Sequence, residues 1–256
     1  EALTDAQCAA LRLDTRQQRM DSTQLSSNIR TYSRLQLLVE VLHRAARMLT
    51  PADQERYAAQ LQPYLQGTAG QYCYRLKPGS YAAELERLGQ CFAALLDAWA
   101  ADYGAEEAYR LLQQVFHEHF SVAAPETPTV ITVKPAEELS ASSLQSPDDL
   151  EATYRTKNGQ GYRGYVVNVT ETCDPDNPVQ LVTKLQVAPN TTDDETLLCS
   201  AVPDLQARMP LEILYVDGGY NGPEATQTAT TAEMTLAPTA IRGGQPDPEQ
   251  VGLADF

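Results

Sequence analysis

The chain has 256 residues, 43% hydrophobic and 21% charged, with 34 acidic side chains against 19 basic ones and a net charge of −15. That length suits one large domain or two small ones, and the composition excludes wholesale disorder. No apolar run approaches the ~18 uncharged residues of a membrane span, so no membrane association is expected.

Five cysteines, at 8, 73, 91, 173 and 199, form no CxxC pair. This argues against a zinc site and a disulfide framework, and a reducing cytoplasm fits best. The start, Glu1-Ala2-Leu3-Thr4-Asp5, has neither the basic nor the apolar region of a signal peptide. With no Met at position 1 and an end that reads as an interrupted element, the chain is expected to be a fragment.

In chain order, residues 17–23 alternate and predict a strand. Leu35, Leu38, Val39, Leu42 and Leu49 then recur at helical spacing. Thr50-Pro51 starts a second helix, since proline suits the first helical turn. Two more helices are expected over about 81–99 and 105–120, making residues 27–122 an all-helical block of four. Residues 123–160 are rich in proline and serine and read as linker, apart from a short strand at 129–133. The runs 162–170 and 179–187 flank the turn Cys173-Asp174-Pro175-Asp176-Asn177-Pro178 and predict a β-hairpin. A helix over 191–207, a buried strand over 211–216 and a weaker strand over 233–237 complete a mixed α/β pattern.

Charge is uneven. Residues 1–124 carry 12 basic and 14 acidic side chains, and residues 125–256 carry 7 and 20. Between Arg12 and Arg47, seven arginines face three acids, a local basic stretch able to meet phosphate.

Two acidic positions stand out. Asp217 ends a buried strand and precedes Gly218-Gly219, at the sheet edge where ligands bind in open α/β sheets. Asp21 lies on a predicted strand, where aspartate is disfavoured and asks for a partner. Carboxylates on neighbouring strands can hold Mg²⁺, which takes one or two of them together with substrate phosphates. Other candidates read as structural. His117 and His119, two apart on a helix, point to different faces, and His43 reads as a helix-surface residue. Asp148, Asp149, Asp193 and Asp194 read as turn or helix caps. Tyr162, Tyr165 and Tyr220 could stack on bases, with core packing the better reading for at least two of them.

The segments QRMDSTQLSSNIR (residues 18–30), SPDDLEATYRTKNGQGYRGYVVNVTETCDPDNPVQLVTKLQVAPNTTDDETL (146–197) and LYVDGGYNGPE (214–224) resemble the DDE-type transposases of bacterial insertion sequences. The resemblance implies a ribonuclease-H-like mixed sheet with a large helical insertion between its first and second strands. Residues 1–26 would be the first-strand region, 27–122 the insertion, 123–160 the linker and 161–256 the remaining core. It implies that Asp21 and Asp217 are catalytic and hold Mg²⁺ or Mn²⁺ for DNA strand cleavage and transfer. Arg19, Arg30, Arg34, Arg155, Lys157 and Arg163 would contact DNA, at the transposon ends and the target. The insertion reads equally as a DNA-binding or a homodimerisation element. The family's third carboxylate, a glutamate on a later helix, has only Glu224, Glu233 and Glu249 as candidates, and none is assigned. A catalytically incomplete remnant that binds only DNA or protein is the alternative.

Overall fold

A computed structural model describes residues 10–123, 130–157 and 159–239. Cys8, Glu249 and the interrupted element expected at 253–256 lie outside them. The chain is α/β and divides into two compact units, Glu1–Leu25 with Tyr165–Phe256, and Ser26–Gly164.

The first unit is built on a mixed sheet. Its strands are β1 (Gln17–Ser26), β5 (Gln160–Thr172), β6 (Val182–Pro189), β7 (Ile213–Val216) and β8 (Thr235–Pro238), adjacent in the order β6-β5-β1-β7-β8. β5 and β6 form the expected antiparallel hairpin, with Val167 opposite Val187 and Val169 opposite Leu185. β1 and β7 pair in parallel, as do β7 and β8. Helix α7 (Asp194–Arg208) is capped by Asp193, whose side chain accepts from the Thr196 N–H, and it connects the hairpin to β7.

Alternation sets the faces of this sheet. Met20 on β1 and Leu214 and Val216 on β7 are buried against Leu198, Val202 and Leu205 of α7. Arg19, Asp21 and Thr23 therefore point to the opposite face, where they are exposed. Helix α8 (Pro223–Thr231) was not foreseen, because only Ala225 and Ala229 mark a buried face. Proline at its first turn starts it.

The second unit is mainly helical but holds more elements than four helices. These are α1 (Arg34–Met48), α2 (Pro51–Arg56), α3 (Ala58–Leu65), α4 (Ala69–Arg75), α5 (Tyr81–Tyr103) and α6 (Glu107–His119). The expected second helix breaks at Tyr57, whose backbone leaves the helical region (φ −97°, ψ 6°). The added helix α4 starts where Thr68 and Gln71 form a capping box, a reciprocal bond pair that stabilises a helix start by about 1 kcal/mol. Leu38, Leu42, Leu88, Phe92, Trp99, Leu112 and Val115 form the core.

The linker reading of residues 123–160 needs correction where they are described. β2 (Phe120–Ala123) pairs antiparallel with β3 (Val130–Val133), and β4 (Thr153–Lys157) pairs antiparallel with the start of β5. A β-carbon on Gly89 of α5 would stand 2.6 Å from the Phe120 ring, so glycine there admits β2 to the helical core. β3 falls where the short strand at 129–133 was expected, whereas β2 and β4 had no such signal, because their partners are distant or equally short. No helix among the described residues is long and apolar enough to cross a membrane.

Candidate functional site

The register of the parallel pair decides where the two acids lie. Gln17 pairs with Ile213, Gln18 with Leu214 and Arg19 with Tyr215. Two residues further on, Asp21 comes level with Asp217, whose backbone is still extended (φ −82°, ψ 176°). Neighbouring strands are about 4.8 Å apart. Residues 196 apart in sequence thus become lateral neighbours on one face.

They open onto a cleft of about 510 Å³, also lined by Arg19, Thr23, Val169, Glu171, Tyr215 and Thr239. One oxygen of each acid is tied locally. Asp21 Oδ1 accepts the Ser22 N–H at 2.8 Å, and Asp217 Oδ1 accepts the Gly219 N–H at 2.8 Å. Neither forms an ion pair among the described residues. The cleft's one arginine, Arg19, binds Glu171 instead, Nε to Oε1 at 2.6 Å. Two adjacent carboxylates without a counter-ion repel each other, and a divalent cation relieves that repulsion. No group of three or more histidine, cysteine or acidic side chains among the described residues could hold a metal. The pair thus suits a cation completed by oxygens from elsewhere, such as phosphate.

Below the cleft, polar side chains lock the turn after β7. Tyr220 is fully buried, and its hydroxyl donates to Asn168 Oδ1 at 2.7 Å. Asn168 donates to Gln186 Oε1, and Gln186 donates to Ser200 Oγ. Burial pushes the Tyr220 phenol well above its ordinary pKa, and the negative charges of Asp194, Asp21 and Asp217 add to this. Core packing is thus the role of Tyr220, while Tyr162 and Tyr165 are half-buried. Asn168 and Asn190, each in an N-x-T sequon, are fully buried.

The glycines after Asp217 are not equivalent. A β-carbon on Gly218 would meet nothing within 4 Å, whereas one on Gly219 would stand 2.7 Å from Asp194 Oδ2. Gly219→Ala is therefore expected to lower stability by about 1–3 kcal/mol, as overpacking does. Gly218→Ala should stay within about 0.5 kcal/mol. Thermal unfolding of the two variants checks the contrast.

The expected DNA-contacting residues separate. Arg19 alone shares a unit with the acid pair. Arg34 is engaged within its own unit. Its guanidinium is half-buried and donates to His119 Nδ1, His119 O and Lys134 O, so it joins α1 to the α6 terminus and to the residue that follows β3. Arg163 lies over the Tyr154 ring at 5.5 Å and donates to Gln145 Oε1. Arg30 lies over Tyr32 at 6.0 Å, and Arg155 is half-buried and partnered. Lys157 is exposed, as is Arg30.

Other readings resolve simply. Asp148 pairs with Arg44, and Asp149 accepts from the Ala152 N–H and Ser27 Oγ. His43 sits against Tyr64 O, His117 is exposed and His119 is buried. Glu224 is exposed in the first turn of α8, and Glu233 is exposed in the left-handed turn after it (φ 53°). Glu171 and Asp194 were missed as site residues. The parity of β5 marks the half-buried face for Glu171, while nothing local marks Asp194. No protein-family model, no curated protein and no solved structure matches the chain.

Proposed function

We propose that the first unit is a ribonuclease-H-like catalytic core of a DDE-type transposase, acting on DNA by metal-dependent strand cleavage and transfer. The observation that carries this reading is the lateral pairing of Asp21 and Asp217 without a counter-ion, on the first and fourth core strands. The hairpin and the crossover helix stand between them in the expected order. Mg²⁺ or Mn²⁺ would be held by Asp21 and Asp217, and when bound would polarise the phosphodiester and supply a nucleophile at neutral pH.

The chain's own residues have distinct tasks in this reading. Asp21 and Asp217 present their second oxygens to the cleft. Arg19, one turn of the pleat away on the same face, offers its partly exposed guanidinium to a phosphate once it leaves Glu171. Tyr215, beside Arg19, walls the cleft. The partners are DNA and, through the helical unit, a second copy. Among the described residues Cys73, Cys91, Cys173 and Cys199 are free, which supports a reducing cytoplasm.

A second reading is favoured by the absence of a three-acid cluster among the described residues. In it the chain is a catalytically incomplete remnant that retains binding alone. Incubating the chain with supercoiled plasmid and Mg²⁺ or Mn²⁺ separates the two. Metal-dependent nicking with 3′-hydroxyl ends supports the enzyme. Metal-dependent DNA binding without nicking supports the remnant, and the absence of both nicking and binding overturns both readings.

A further inference from the structure

The acidic run Asp193-Asp194-Glu195 opens α7, and its three members do different things. Asp193 caps its own helix. Glu195 reaches the next one, accepting the Ala225 N–H of α8 at 2.9 Å and covering Gly222, where a β-carbon would stand 2.2 Å from its oxygen. Asp194 touches both acid-bearing segments. Its Oδ1 accepts the Ser22 hydroxyl at 2.7 Å, and Ser22 is the residue next to Asp21. Its Oδ2 lies 2.7 Å from the point where a Gly219 β-carbon would stand, and Asp217 Oδ1 lies 3.1 Å from that same point.

We propose that Asp194 is a positioning residue that sets the separation of Asp21 and Asp217. This rests on reading that pair as a divalent-cation site. Ser22 alternates with Asp21 along β1, so the link acts through the β1 backbone. Holding Ser22 fixes the height of β1 at the acid. Asp194 Oδ2, in the space a Gly219 side chain would need, packs beside the turn that carries Asp217. Partners of this kind orient metal ligands, and losing one typically weakens metal binding about 10–100-fold. Gly219 follows from the same contact, since a side chain there would push Asp194 off both partners.

The test is Mn²⁺ binding by the whole chain, followed as loss of the free-ion electron paramagnetic resonance signal. Asp194→Ala is expected to weaken binding about 10-fold or more. Asp194→Asn keeps an oxygen for the Ser22 hydroxyl and should remain within about 3-fold of the parent. Ser22→Ala removes the same hydrogen bond from the other side, so it serves if Asp194→Ala does not fold. Ser22→Ala should weaken binding in the same direction as Asp194→Ala, and the double variant should weaken it less than the product of the single effects.

A purely structural role would lower the melting temperature with Mn²⁺ affinity unchanged, and that result overturns the proposal. Equal losses in Asp194→Asn and Asp194→Ala overturn it differently, by making the charged carboxylate a ligand. If the parent chain itself binds no Mn²⁺, or binds it equally well after Asp21→Asn, the cation-site reading falls and takes this proposal with it.

Discussion

Asp21→Ala and Asp217→Ala are each expected to lower metal-dependent DNA cleavage about 10³-fold while leaving the fold intact. The size follows from the proposed cation site. A bound metal supplies several kcal/mol of transition-state stabilisation, and each 1.36 kcal/mol is tenfold in rate. The double variant should be hardly slower than either single one, because ligands of one centre act as a unit. Stability should move the other way or not at all. Asp21 is exposed, each acid bonds only to a backbone N–H one or two residues away, and neither has an ion-pair partner among the described residues. Removing either also relieves like-charge repulsion, so thermal unfolding without metal should change by no more than about 0.5 kcal/mol. Nicking rates and melting curves on the same preparations check both halves. Unchanged nicking in Asp21→Ala would place the chemistry elsewhere.

Acid should weaken the helical unit below about pH 6.5 through His119. This residue ends α6, is 3% exposed, and accepts from Arg34 Nε through Nδ1 at 3.0 Å. Burial lowers its pKa to about 4, and the positive charges of Arg34 and Lys134 push the same way. A proton on Nδ1 would face the guanidinium N–H that it now accepts. Nε2 is buried without a partner. The unfolded chain takes up this proton near the ordinary histidine value of 6.5. Between pH 6.5 and 4 the unfolded state therefore binds more protons, and stability falls as pH falls. The stabilisation is fully present above about pH 6.5, and about 3 kcal/mol of it is lost by pH 4.

Trp99 is the chain's only tryptophan and lies buried in the same unit, so its fluorescence in urea follows this unfolding directly. His119→Asn keeps an acceptor for Arg34 and removes the titrating group. The pH dependence between 6.5 and 4 should flatten in that variant. An equal slope in both proteins would assign the acid sensitivity to other groups.

Local chemistry made much of this molecule legible. Alternation in residues 17–23 and 162–170 marked β1 and β5, and the Asp-Pro-Asp-Asn-Pro run marked the turn before β6. The break at Thr50-Pro51 marked a helix start. Elements without a strong period were missed. Helix α4 depends on a capping box, α8 on two buried alanines, and β2 and β4 are only four and five residues long. Their stability comes from neighbours that no local window contains.

By itself, the sequence determined that two aspartates stand on strand-forming segments, one before a pair of glycines, with a hairpin and a helix between them. It also determined which face each occupies, because strand side chains alternate strictly. Only the tertiary structure decided that β1 pairs with β7 in the register that brings Asp21 beside Asp217. It alone turned Arg19 toward Glu171, spent Arg34 on backbone carbonyls and His119, and placed Asp194 between Ser22 and Gly219. The reason is physical. Periodicity records how a segment meets its own core face, whereas register and partner choice depend on which distant segment shares that core.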